Sequence, residues 1–239
     1  MIRYENVKKS FGNTKVLKGI DLFIQKGETA VILGGSGSGK SVLTSMLVGL
    51  LIPDSGRITI DEREIPRSMQ DKSWRDIWHK VGYLFQGGAL FDSYTVFENI
   101  SFPLMYGYRI SKKEIEDKVM GLLSLLNIEH AKDKYPSELS GGMQKRVSLA
   151  RSVASDPEII IYDEPTTGLD PVTSDIVGSL IIDMKKEFNV TSIVVSHDIR
   201  LTRMIADRIF FLNKGIIEFS GDIKELGTAP DALKEFFEV

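Results

Sequence analysis

The chain has 239 residues, 42% of them hydrophobic, and a formal net charge of −3 at pH 7, enough to bury the core of one domain and too little basic charge to suggest nucleic acid as a partner. It contains no cysteine and three histidines, His79, His130 and His197, so disulfide and thiolate chemistry are excluded. No leader-like apolar segment opens the sequence, and no apolar run approaches the roughly 18 residues that cross a bilayer, which predicts a cytoplasmic protein that meets a membrane only through a partner.

Ile2 to Val7 and Gly19 to Ile24 mix apolar and polar positions and predict strands, with turns at Gly12-Asn13 and Lys26-Gly27. Thr29 to Leu33 is a short apolar strand, and Val42, Leu43, Met46 and Leu47 fall at helical spacing. Between them lies Gly34-Gly35-Ser36-Gly37-Ser38-Gly39-Lys40-Ser41, which fits G-x-x-x-x-G-K-[ST] in the required strand, loop and helix context. The glycines admit phosphates where a Cβ would intrude, Lys40 can reach β and γ oxygens, and Ser41 offers a hydroxyl to Mg²⁺. The expected ligand is a nucleoside triphosphate held by Gly34 to Val42.

Pro53-Asp54-Ser55-Gly56 is a turn feeding a strand at Arg57 to Ile60, Asp61 to Asp76 reads as loop and helix start, and Val81 to Phe85 is a buried strand ending at Gln86. Ser111 to Glu114 fits a capping box, with Ile115, Val119, Leu122, Leu123 and Leu126 on one helical face. A helical subdomain is therefore expected over about residues 94–154. Within it Leu139 to Gln144 opens a helix at Met143 that runs to Ala154 and carries Lys145, Arg146 and Arg151. Ser140 can be a simple N-cap, or Ser140, Gly141 and Gly142 can form an anion site at the helix N-terminus. The second use makes sense if the anion belongs to a nucleotide held mainly by another copy.

Glu158 to Tyr162 and Thr191 to Val195 are apolar runs separated by a helical stretch, the pattern of parallel strands joined by a crossover helix. The first delivers Asp163 and Glu164 to the carboxyl edge of the sheet, where ligands bind in such folds. Asp163 is expected to hold Mg²⁺ through water, and Glu164 to polarise the attacking water. His197 follows the second strand, placed to bond a γ-phosphate, with Asp198 orienting its surroundings. From Pro230 onward, Leu233, Phe236 and Phe237 mark a short amphipathic helix, expected to pack on its own domain, with a partner contact as the alternative.

In this order, Gly34 to Ser41, Leu139 to Gln144, Ile159 to Glu164 and His197 look like the ATP-binding subunit of an ABC transporter, a resemblance that covers essentially the whole chain. It implies an α/β fold: a P-loop NTPase core of mostly parallel sheet with flanking helices, an N-terminal antiparallel β subdomain and an inserted α-helical signature subdomain. The single domain 1–239 would divide into a core of residues 1–93 and 155–229, the helical part at about 94–154, and a C-terminal helix at about 230–239. The resemblance further implies ATP and Mg²⁺ as cofactors, with Phe11 stacked on adenine and Gln86 linking the metal to a transmembrane permease. Catalysis would involve Lys40, Gln86, Glu164 and His197, and Ser41, Asp163 and Gln86 would serve the metal. Two copies would pair head to tail, Ser140, Gly141 and Gly142 of one closing on ATP bound by Lys40 of the other, with Gly168-Leu169-Asp170 communicating across the pair. Phe11 and Met143 depart from the Tyr and Gln that the family often has at these places; Phe still stacks.

Leu84 to Asp92, Val96 to Asn99 and Phe102 to Leu104 are similar to the ATPases of Mla-type systems, apart from Gly87 where many of those have Ser. Such systems work with MCE proteins on phospholipids or other hydrophobic cargo. They imply a permease, an MCE lipid-binding protein and a small cytoplasmic accessory subunit as partners. A polar-solute importer, for example for amino acids, is the alternative. A soluble ABC protein acting on ribosomes or DNA fits less well, because those proteins usually join two cassettes or insert long coiled coils.

Overall fold

Partial alternation of buried and exposed positions along residues 2–11, 14–24 and 55–60 shapes an antiparallel sheet. The computed structural model describes residues 1–107 and 110–238. In it β1 (Ile2–Phe11) and β2 (Thr14–Ile24) form a hairpin that pairs Phe11 with Thr14 and Ile2 with Ile24. The chain then enters the interior as β3 (Thr29–Leu33), buried at every residue, and α1 (Lys40–Leu47). It returns to the first sheet as β4 (Ser55–Ile60) and β5 (Arg63–Glu64), giving the order β2-β1-β4-β5.

Next come α2 (Trp74–Lys80) and β6 (Val81–Leu84), followed by the helical insertion of α3 (Val96–Gly107), α4 (Lys112–Leu125) and α5 (Gly141–Val153). The rest of the chain is β7 (Ile159–Asp163), α6 (Pro171–Phe188), β8 (Thr191–Ser196), α7 (Ile199–Ile205), β9 (Arg208–Asn213), β10 (Ile216–Gly221) and α8 (Asp231–Glu238). The second sheet has the order β10-β9-β3-β8-β7-β6, parallel throughout except for β10. Strands covered on both faces read as continuous apolar runs, and β3, β7 and β8 are buried end to end.

Successive side chains alternate between the two faces of this sheet. Val31 and Leu33 join a core with the helical insertion and α6, whereas Ala30 and Ile32 join one with α1, Trp74 and the antiparallel sheet. In the insertion, the Ser111 hydroxyl accepts from the Glu114 N–H at 3.2 Å and the Glu114 carboxylate accepts from the Ser111 N–H at 2.7 Å. That capping box starts α4, and Val119, Leu122, Leu123 and Leu126 are buried as its spacing predicts.

Some boundaries differ from expectation. Helix α5 begins at Gly141, two residues before Met143, because Ser140 caps it. The strand expected to run to Phe85 stops at Leu84, and the segment expected as loop and helix start also holds β5. The structure adds strands β9 and β10, which the sequence pattern does not predict. The tail does form a helix with Leu233 buried in the main core; residue 239, included in the expected tail, lies outside the described residues. Among the described residues no helix is long and apolar enough to cross a membrane.

Candidate nucleotide site

The sheet register brings three loops together. Leu33 pairs with Ser196 on one side and Phe211 on the other, and Asp163 pairs with Val195. The segments beginning at Gly34, Glu164 and His197 therefore leave adjacent parallel strands at the same edge. At Gly34 the chain passes so close to β9 that a Cβ would lie 2.2 Å from the Leu212 carbonyl oxygen and 2.8 Å from Ser38 Oγ. Only glycine fits there without moving backbone.

Lys40 is nearly buried, and its ammonium donates to the carbonyls of Gly34 at 2.8 Å and Gly35 at 3.1 Å. It also lies 3.8 Å from Glu164 Oε1. Burial lowers the pKa of Lys40, while the charges of Glu164 and Asp163 act to raise it. Ser41 donates to Asp163 Oδ1 at 3.0 Å, and the Tyr83 hydroxyl donates to Asp163 Oδ2 at 3.2 Å. Burial is the larger influence on Asp163 and raises its pKa, against the lowering effect of those two hydrogen bonds.

Glu164 adopts a left-handed backbone, φ 50°, which is unusual for a side chain of its size. Its N–H donates to the Val195 carbonyl at 2.9 Å, which ties the turn to β8. Its Oε2 accepts from Thr167 Oγ1 at 3.2 Å and lies 2.8 Å from His197 Nδ1. That last contact requires a proton on Nδ1. Asp198 caps α7 through the Leu201 N–H and accepts from Thr166 Oγ1 at 3.0 Å, so it braces the loop beside Glu164.

These groups face a cleft of about 710 Å³ lined by Phe11, Val16, Gly35, Ser36, Gly37, Ser38, Gly39, Lys40, Ser41, Val42, Gln86, Glu164, His197 and Phe236. Phe11 is about half exposed, with the Lys9 ammonium 5.6 Å from its ring centre. Asp163 is not itself in this lining and is joined to it by its hydrogen bond from Ser41. Ser140, Gly141 and Gly142 are not brought to it: Ser140 and Gly142 line a different pocket with His130, Arg146 and Thr173, and Ser140 Oγ accepts from the Met143 N–H at 3.3 Å. Within one chain the two candidate anion sites are separate.

The cleft suits a magnesium nucleotide. Ser38 Oγ is buried with no hydrogen-bond partner among the described residues, inside a loop otherwise open around Gly35 and Gly37. Mg²⁺ commonly takes one or two carboxylates plus phosphate and water oxygens, and Ser41, Asp163 and Gln86 offer oxygen donors of that kind. The structure adds Val16, Tyr83, Thr167 and Phe236 to the residues at or bonded to the site, beyond those the sequence points to. Only Phe236 carried a signal, as part of an amphipathic helix, and that pointed to packing; its ring does lie 6.1 Å from Phe211, yet it also lines the cleft.

A second concavity, about 410 Å³, runs along the edge strand β6 between Trp78, Tyr83, Phe85, Phe91, Phe102 and Arg151. Tyr83 and Phe85 stack with ring centres 4.3 Å apart. Arg151 lies 5.5 Å from the centre of the Phe91 ring and donates to the Gly88 carbonyl at 2.7 Å.

Residues 17–167 match a family model described as ABC transporter. The probable ribonucleotide transport ATP-binding protein mkl of Mycobacterium tuberculosis is 37% identical over 236 residues, which covers 99% of this chain and 66% of that protein. The chain thus spans slightly less than two thirds of that relative's length. The methionine import ATP-binding protein MetN 1 of Bacillus cereus is 36% identical over 234 residues, covering 96% of this chain and 67% of that protein. Among solved structures, the dimeric post-hydrolysis state of the ATP-binding cassette MJ0796, bound to ADP and Pi, superposes with a TM-score of 0.85 at 33% identity, covering 93% of this chain and 99% of that one. The cbiO1 structure from Clostridium perfringens gives a TM-score of 0.87 at 33% identity over 98% of this chain and 93% of that one.

Proposed function

The chain belongs to the ABC transporter family and carries its ATP-binding, ATP-hydrolysing domain, and from that premise we propose that it is the subunit that powers a separate membrane permease. ATP is the nucleotide of such a domain and Mg²⁺ its metal. The convergence of Lys40, Ser41, Asp163, Glu164 and His197 at one sheet edge is the observation that carries the reading. Lys40 and the loop N–H groups bind the phosphates. Ser41, Asp163 and Gln86 would hold Mg²⁺, which supplies positive charge to the phosphate oxygens. Glu164 orients and polarises the attacking water, and His197 and Thr167 hold the carboxylate for that task.

The separation of Ser140 from the cleft supports a head-to-tail homodimer in which each copy completes the other's site. The solved relative named as a dimeric cassette supports it further. The aromatic groove along β6 begins beside Gln86 and suits a permease segment, which would hold the protein at the cytoplasmic face of a membrane. For cargo we favour phospholipid or another hydrophobic molecule, on the Mla-like residues Leu84 to Asp92 that border this groove, with an MCE protein and a small accessory subunit as companions. The methionine import relative supports a polar-solute importer as a second reading.

Glu164→Gln tests the catalytic part: ATP still binds, turnover is lost, and a stable ATP-bound dimer appears in size-exclusion chromatography. Normal turnover in that variant would refute the assignment. Purification from detergent extract tests the partners and cargo. A co-purifying permease with an MCE protein and bound phospholipid supports lipid traffic, a permease with a solute-binding protein supports the importer, and recovery of ribosomes or DNA with no permease overturns transport.

A further inference from the structure

One side chain in the wall of the β6 groove, Tyr83, bonds Asp163, the carboxylate that also bonds Ser41 of the nucleotide cleft. Tyr83 sits on the edge strand, half-buried, and its ring forms part of the groove wall, stacked on Phe85 with ring centres 4.3 Å apart. Its hydroxyl points the other way, donating to Asp163 Oδ2 at 3.2 Å and lying 3.1 Å from Thr44 Oγ1 on α1. Asp163 has its other oxygen on Ser41. The carboxylate is thereby fixed from both sides, one bond coming from the phosphate-loop helix and one from the groove. Aromatic stacking restrains the ring plane, and a phenol on a fixed ring has little choice of where to place its oxygen.

We propose that Tyr83 is a positioning residue for Asp163, and that it ties the orientation of this carboxylate to the state of the groove. The inference rests on the reading that Asp163 serves Mg²⁺. Outer groups that orient a metal ligand commonly affect metal affinity by about 10- to 100-fold when removed. Tyr83→Phe keeps the ring and the stack and deletes only the hydroxyl. Trp78 reports on the groove: it is 53% exposed and lines the same wall, whereas Trp74 is buried. Because Trp78 also donates to the Val48 carbonyl at 2.9 Å, just past α1, its response to nucleotide could arise through α1 as well. The tyrosine variant separates the two routes.

The experiment measures ATP affinity by calorimetry, in EDTA and across a Mg²⁺ series, for the wild type, Tyr83→Phe and Asp163→Asn. It also follows acrylamide quenching of Trp78 with and without Mg²⁺ and ATP. Tyr83→Phe is expected to match the wild type in EDTA, which shows the fold intact, and to need about tenfold more Mg²⁺ for the same gain in affinity. Quenching of Trp78 should respond to Mg²⁺ and ATP in the wild type and not in Tyr83→Phe. A wild-type Mg²⁺ dependence in Tyr83→Phe overturns the positioning role, and an unchanged Trp78 response overturns the link to the groove. If Asp163→Asn itself keeps the wild-type Mg²⁺ dependence, the underlying assignment of Asp163 fails instead.

Discussion

Glu164 is held on several sides by the chain's own groups: by His197 Nδ1, by Thr167 Oγ1, by the nearby Lys40 ammonium, and by its own N–H on β8. In its proposed role of aiming a water molecule, the carboxylate gains from such preorganisation, because a misplacement of about 1 Å can cost about 100-fold in rate. His197→Ala should therefore lower kcat by about 10- to 100-fold and leave ATP affinity nearly unchanged; steady-state kinetics beside calorimetry separate the two, and an equal loss in both would assign His197 to binding. Lys40→Ala should behave in the opposite sense, since the ammonium lies in the phosphate loop itself, and unchanged calorimetric affinity would contradict that role. Lys40, Ser41, Asp163, Glu164 and His197 are legible in the sequence because each sits at a set distance from the end of an apolar strand. Tyr83 and Phe236 are not, since Tyr83 reaches Asp163 only through the pairing of β6 with β7, and Phe236 reaches the cleft only through the docking of α8.

Among the elements, β6 and α5 come close together at Gly82, where a Cβ would stand 2.0 Å from the Ser152 carbonyl oxygen and 3.1 Å from Pro157 Cγ. Backbone cannot yield there as a flexible side chain would, so Gly82→Ala should destabilise the protein by about 1–3 kcal/mol, read as a lower urea midpoint; an unchanged midpoint would show that strand and helix can separate freely. Ser111→Ala removes the capping box of α4 and should cost about 1 kcal/mol in the same measurement. The buried parallel strands announce themselves as apolar runs bounded by turns. β9 holds a similar run, Ile209 to Leu212, but no chemistry-bearing motif follows it, and β10 is mostly half-buried and given its place by pairing with β9. Helix α5 starts earlier than propensity suggests because glycine disfavours helix by about 1 kcal/mol per residue, and the Ser140 cap overrides that at Gly141 and Gly142.

At the scale of the whole molecule, the two candidate anion sites of one chain face different cavities: the Gly34–Ser41 loop opens to the cleft, and the N-terminus of α5 opens to a pocket with His130 and Thr173. The proposed symmetric pair would bring them together, since a two-fold axis that sets Ser140 of one copy against the cleft of the other does so twice. Mixing variants tests the arrangement more sharply than either variant alone. Lys40→Ala destroys the cleft and spares Ser140, whereas Ser140→Arg spares the cleft and blocks its approach to a partner, so each homodimer should be inactive. Random pairing makes about half of the dimers mixed, and each mixed dimer has one site with both lesions and one with neither, so up to about a quarter of the wild-type ATPase rate should return if the sites act independently. Recovery that rises and falls with the mixing ratio, peaking at equal amounts, identifies the mixed dimer as its source. Full activity of Ser140→Arg by itself would show that each cleft is complete within one chain and remove the reason for pairing.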